Sequence, residues 1–180
     1  MEKSDDKPFF EGKRVVLRAM EPEDLDFLYH IENDTALWVH GISNVPYSRY
    51  ALRRFISESQ NDIYADRQLR LIVELKETGE AVGCADLFDY SIRHQRAEVG
   101  LVISKPFQRS GLGREALSLL LRYAFAFLKL HQVYAYVAAA NHAAAGLFEQ
   151  TGFERTAVLK DWIQEAGEYK SVVLYTLCQD

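Results

Sequence analysis

The amino-acid sequence predicts an α/β domain around a mixed sheet of about seven strands flanked by helices, and three observations carry that prediction. Strand-like and helix-like stretches follow one another in the order βααβββαβαββ. Turn residues separate them, most clearly Thr78-Gly79 and Ala166-Gly167. The length, 180 residues, suits one core. The expected organisation is a flexible polar N-terminus over 1–12 and one domain over 13–180.

Each element has its own warrant. Arg14 to Arg18 alternates and is rich in Val and Leu, which reads as a strand. Glu21-Pro22-Glu23-Asp24 opens a helix: proline suits the first turn, and acids favour the positive end of the helix dipole. Leu25, Leu28, Tyr29 and Glu32 continue it at helical spacing. Residues 33–48 hold Gly41, Asn44 and Pro46 and read as a loop. Trp38, His40 and Tyr47 in that loop are either a plug over the core or the wall of a substrate pocket. Ser48 is placed to cap a second helix to about Gln60, with Leu52, Phe55 and Ile56 on one face.

Strands are then expected at Gln68 to Lys76, Ala81 to Asp89 and Ala97 to Ser104. A long helix from Gly113 to Leu128 carries Leu117, Leu120, Leu121, Ala124, Phe125 and Leu128 on a wide apolar face. Val133 to Val137 is a short strand, and Ala143 to Gln150 a short helix ended by Gly152. Phe153 to Leu159 and Val172 to Leu177 complete the set.

Composition narrows the function. The net charge is −5, which argues against a nucleic-acid partner, since that needs a concentrated basic face. No apolar run nears the ~20 residues that cross a bilayer, so no membrane partner is expected. The N-terminus, MEKSDDKPFF, lacks the apolar stretch of a signal peptide, which points to the cytoplasm. Cys84 and Cys178 lie in strand-like stretches and read as small core hydrophobes. Neither has a Cys or His at ligand spacing, so no metal is expected.

The most informative segment follows the strand that ends at Ser104. Pro106 stops the ladder, and Gln108-Arg109-Ser110-Gly111-Leu112-Gly113 leads straight into the long helix. Glycine allows positive φ and close backbone approach. The first N–H groups of a helix lack internal partners, and its dipole favours an anion there. Arg109 and Arg114 add positive charge. The unit reads as a phosphate cradle or as a plain helix start with a tight turn. It is no P-loop, because no Lys-Ser or Lys-Thr follows the second glycine, and the third glycine of a dinucleotide fingerprint is missing.

Gln108 to Gly113 resembles the Gln/Arg-x-x-Gly-x-Gly/Ala signature of the GCN5-related N-acetyltransferase (GNAT) family. Asn141 and the later Leu147-Phe148-Glu149-Gln150-Thr151-Gly152-Phe153-Glu154 are similar to that family's Asn…Gly-Phe segment. Leu17-Arg18, Glu21 to Asp24, Glu32-Asn33-Asp34, Gly167-Glu168-Tyr169 and Leu174-Tyr175 resemble the subgroup of ribosomal-protein N-terminal and spermidine or diamine acetyltransferases. The resemblance covers residues 13–178.

That resemblance implies a mostly antiparallel sheet and an acetyl-CoA-dependent N-acetyltransferase without a metal. It implies that Gln108, Arg109, Ser110, Gly111, Leu112 and Gly113, with Arg114, bind the CoA pyrophosphate. It further implies that the backbone of Leu101, Val102 and Ile103 pairs with the pantetheine arm and that Asn141 bonds the arm or its water; a helix cap is the other reading of Asn141. Glu98 matches a position where family members often carry the base, and an ordinary solvent-facing glutamate is its other reading. Phe148 stands where the family commonly has a tyrosine general acid; it packs against the cofactor and donates no proton. Either Tyr169, Tyr175 or water then takes that role, or the thiolate leaves without an acid. The acceptor is a primary amine: a polyamine, a protein N-terminus or an amine-bearing small molecule. The acidic residues Glu23, Asp24, Asp26, Glu32 and Asp34 lean toward a polycation, and a solvated helix face explains them equally. A second reading, resting on Phe148, is a non-catalytic CoA-binding regulatory module; a third is a phosphate-binding protein of another kind. Subgroup members form dimers or larger rings, and nothing in the sequence selects a homo-oligomer.

Overall fold

The structure, a computed structural model, describes residues 9–38, 45–59 and 62–179. Seven strands form one sheet in the order β1-β2-β3-β4-β5-β7-β6. They are β1 (Val15–Arg18), β2 (Leu69–Leu75), β3 (Ala81–Ser91), β4 (Arg96–Ile103), β5 (Gln132–Ala138), β6 (Glu154–Glu165) and β7 (Glu168–Cys178). Every neighbouring pair is antiparallel except β4 and β5, which run parallel. The mixed, mostly antiparallel α/β fold is the one the resemblance implied.

The helices are α1 (Leu25–Glu32), α2 (Thr35–Trp38), α3 (Arg49–Glu58), α4 (Ile63–Asp66), α5 (Leu112–Arg122) and α6 (His142–Gln150). Their starts follow from side chains. The Glu21 N–H donates to Asp24 at 2.8 Å in a 3-10 turn ahead of α1. The Ser48 hydroxyl accepts from the Ala51 N–H at 3.1 Å and opens α3. Asn141 accepts from the Ala144 N–H at 3.1 Å and opens α6. No described helix is long and apolar enough to cross a membrane.

Alternation along the strands sorts the sheet into two faces. One face carries Val15, Leu17, Leu71, Val73, Leu87, Ala97, Val99, Val133 and Ala135, packed under α5 and Phe148 of α6. The other carries Ile72 and Cys84 against Met20, Leu28, Phe27, Phe55 and Ile56, the inner sides of α1 and α3. Ion pairs tie α1 to the sheet on this second face. Arg18 grips Asp24 through two bonds of 2.7 and 2.8 Å and also reaches Glu74. Arg70 grips Asp86 at 2.9 and 3.0 Å and also reaches Glu32.

Several expectations change. Phe9 and Phe10, assigned by the sequence to a flexible terminus, pack on Tyr123, and the 10–17 and 12–15 backbone pairs hold this segment beside β1. Cys178 is exposed at the end of β7 rather than in the core, because it falls on the last residue of the strand; Cys84 is buried as expected. The expected loop 33–48 contains α2, and Asn33 pins its far end by bonding both the N–H and the carbonyl of Tyr47. His40, Gly41, Asn44 and the side chain of Trp38 lie outside the described residues. The helix expected to run to Leu128 becomes α5 followed by a wider π turn over Tyr123–Phe127. The β6–β7 hairpin is longer than expected at its tip, where most side chains are exposed and no apolar alternation marks the strands.

Leu120 is fully buried beneath α5. Leu120→Ala is expected to lower unfolding stability by about 3 kcal/mol through lost transfer energy and a residual cavity. A urea titration checks this: the midpoint falls while the slope is unchanged.

Candidate functional site

The sheet is incomplete at its centre. Parallel pairing of β4 and β5 consists of Arg96 with Gln132, Ala97 with Val133 and Glu98 with Tyr134, and stops there. Both strands continue. β4 stays paired to β3 as far as Ile103, and β5 stays paired to β7 as far as Ala138. The inner edges of 99–103 and 135–138 therefore face a gap, roughly 16 Å long on the β4 side at the usual rise per residue. Unpaired backbone groups inside a sheet call for a hydrogen-bonding partner. An extended group bearing amides would supply one, in the manner of an added strand.

The glycine loop closes one end of this gap. Its backbone turns left-handed at Arg109 (φ 58°) and again at Gly111 (φ 83°), which precedes α5. Gln108 folds back and donates from its side chain to the Ile103 carbonyl at 2.9 Å. The Ser110 hydroxyl donates to the Phe107 carbonyl. Among the described residues, no acceptor meets the backbone N–H groups from Arg109 to Arg114. Arg109 and Arg114 are exposed and form no ion pair with another described residue. Free N–H groups, a helix start and two cations make a fit for an anion such as a pyrophosphate.

Arg14, just ahead of β1, braces the loop. Its guanidinium donates to the Ser110 carbonyl at 2.8 Å and pairs with Glu115 at 3.3 Å. Glu115 in turn accepts from the Arg14 N–H at 2.8 Å and the Val15 N–H at 3.4 Å. Burial works against the Glu115 carboxylate, but these N–H groups and Arg14 hold its pKa below the usual value.

Glu98 sits on the last paired rung, at the apex of the gap. It alternates with Ala97 and Val99 of the α5 face, so it lies on the α1–α3 face. Burial pushes its carboxyl up, and the negative charge of Asp89 adds to this, to about 7. Tyr134, its partner across the rung, donates its hydroxyl to Asp89. Burial and that bond push the Tyr134 phenol up. Gly100 lines the gap two residues on, and a Cβ there would meet the Phe88 ring at 2.9 Å.

The structure thus brings Glu98, Leu101, Val102, Ile103 and the whole stretch from Gln108 to Arg114 around one gap. Leu101 and Ile103 also contact the α5 start: a Cβ on Gly113 would lie 3.5 and 3.4 Å from their side chains. Asn141 caps α6 where the chain leaves β5, at the same end of the sheet as the loop. Phe148 is buried in α6, edge-on to Phe153 and stacked at 6.2 Å on Tyr175.

Tyr169 is not brought to Glu98. Tyr134 pairs with Thr176 on β7, and Tyr169 lies seven residues away along that strand, roughly 23 Å at the usual rise. It projects from the hairpin tip at 70% exposure. Tyr175 is nearer but buried, and its hydroxyl donates to Glu149 at 3.1 Å. The acidic helix is also less open than its sequence implied. Asp24 is buried on Arg18, Asp26 pairs with Arg49, and Glu32 pairs with Arg70. Asp89 and Tyr134 were missed in the sequence. The period-two placement of Tyr134 and Tyr136 was a signal for a second face of β5, whereas the meeting of Asp89 with Glu98 depends on strand register alone.

Known proteins share this fold. The sequence profile described as acetyltransferase (GNAT) domain matches residues 14–154. A spermidine N(1)-acetyltransferase from Vibrio cholerae is 28% identical over 162 residues, covering 89% of this chain and 91% of that one. A putative ribosomal N-acetyltransferase from Bacillus subtilis is 27% identical, covering 92% of each chain. The crystal structure of the Vibrio cholerae spermidine N-acetyltransferase with CoA and spermine superposes with a TM-score of 0.82 at 27% identity, over 93% of this chain and 97% of that one. Domain match, shared fold and central gap agree: this chain belongs to the GNAT family of acetyltransferases.

Proposed function

We propose that this protein transfers an acetyl group from acetyl-CoA to a primary amine of a polyamine or a similar small polycation, with Glu98 as the base. The observation that carries the reading is the gap between β4 and β5, with a titratable carboxyl at its apex and a free N–H cluster at its other end.

Acetyl-CoA supplies an activated thioester when bound. The N–H groups from Arg109 to Arg114, with Arg109 and Arg114, hold the pyrophosphate. The open edge of Leu101, Val102 and Ile103 pairs with the amides of the pantetheine arm, and Asn141 and Phe148 border it from α6. The acceptor approaches from the α1–α3 face, where Glu98 lies. An amine attacks only after losing its proton, and a carboxylate with a pKa near neutrality is matched to that task. Glu98 accepts the proton and, sitting on the apex rung, can return it to the departing sulfur. That route needs no hydroxyl at position 148 and none from Tyr169, which projects from the hairpin tip.

The polyamine reading rests on relatives named for spermidine acetylation and on two carboxylates, Glu98 and Asp89, at the acceptor side. The acids of α1 and of the turn before it contribute less than their sequence implied, because Asp24, Asp26 and Glu32 are paired with arginines.

Gly111→Val forces a β-branched residue into a left-handed conformation and directs its Cβ toward the Arg14 guanidinium, 3.1 Å away. Acetyl-CoA affinity, measured by calorimetry, is expected to fall at least about tenfold; an unchanged affinity would remove the loop from the site. Glu98→Gln is expected to lower kcat about 100-fold or more with acetyl-CoA affinity preserved. The wild-type rate should rise with pH through about 7, as Glu98 loses its proton, and the variant should lack that limb. Asp89→Asn removes the charge that adds to burial in raising the Glu98 carboxyl, so the same limb should move to lower pH; a limb that stays in place would show that Asp89 does not act on Glu98.

A further inference from the structure

Two large aromatic side chains beside the gap have no role in the reading above. Tyr136 lies on the open stretch of β5, two residues past the apex rung and on the same face as Glu98 and Tyr134. Its ring stands edge-on to Tyr134 at 5.7 Å. Trp162 reaches across from β6 and stacks on Tyr136 at 6.4 Å with the planes 23° apart. Trp162 sits in a register shift between Leu159 and Ile163, beside Asp161 at φ 51°. The shift turns the indole onto the sheet while β6 itself is the edge strand.

Tyr136 and Trp162 remain 42% and 59% exposed. Tyr134, Tyr136 and Trp162 form a continuous π wall that starts at the base and runs outward. Its inner end carries two carboxylates, Glu98 and Asp89. On the facing strand of the hairpin, Lys170 is paired with Glu165 at 3.0 Å. An aromatic wall with carboxylates at one end attracts an alkylammonium along its whole length, since the ring faces are negative. A neutral acceptor gains nothing from the carboxylates, and an anionic one is repelled.

We infer that Tyr136 and Trp162 are specificity-determining residues that hold a second, non-reacting ammonium of the acceptor while its first amine meets Glu98. The inference rests on the reading of the gap as the site of acetyl transfer and adds the residues that choose the acceptor. It selects small dications and polycations over monoamines of the same length.

The test separates the two readings by using a ligand that cannot react. Hexamethonium is an alkyl chain with a quaternary ammonium at each end and no transferable N–H. Its binding to the acetyl-CoA-saturated protein is measured by calorimetry, alongside acetyl-CoA binding itself. Wild type is expected to bind hexamethonium, Trp162→Ala to bind it about tenfold more weakly, and Trp162→Phe to stay within about threefold of wild type. Acetyl-CoA affinity should be the same in all three. Equal hexamethonium affinity in wild type and Trp162→Ala overturns the wall, as does the absence of millimolar binding in wild type. A protein that binds hexamethonium in this pattern yet acetylates no amine keeps the wall and loses the catalytic reading.

Discussion

The parting of β4 from β5 is the constraint on which the rest depends. A sheet gains its stability by pairing every inner edge, and here two central strands give that up after three rungs. The core on the α5 face tolerates the parting because each strand keeps its other neighbour in register. The apex of the gap is therefore a fixed point, bounded on both sides by continuous ladders. A side chain on that last rung has little freedom, and Glu98 occupies it. Its environment is a product of the same geometry: β3 bends at a register shift just past Phe88 and delivers Asp89 beside it.

The two faces of the sheet divide the labour. The α5 face is almost wholly apolar and sets the rigidity of β4, β5 and the glycine loop. The α1–α3 face holds a small apolar cluster and is otherwise stitched by arginines. Arg18 and Arg70 each bridge two acids, one on a helical segment and one on a strand. Such pairs place α1 without filling the space beside the gap with side chains. They also neutralise acids that would otherwise compete for a cationic acceptor.

Much of this was legible in the sequence because the signals were local. The strands of β1 to β5, the caps at Ser48 and Asn141, and the glycine loop all rest on residues within one turn or one strand. The failures share a different cause. The tip of the β6–β7 hairpin has no buried face, so alternation is silent there. The π turn after α5 preserves the apolar character of a helix while changing its hydrogen bonding. The motif around Tyr169 is local, whereas its distance from Glu98 is set by strand register. Tyr134 and Arg14 act through contacts between segments 36 to 101 residues apart. No window along the chain contains such a contact.

The brace from Arg14 carries this further. The anion cradle is usually described as a short string of glycines before a helix. Here its shape is secured by a residue from the opening strand, which reaches the Ser110 carbonyl and is itself seated by Glu115. Copied into another protein, the hexapeptide would bring its glycines and leave its scaffold behind. The working unit is thus a pair of distant segments, and a change at either end alters the same few ångströms of backbone.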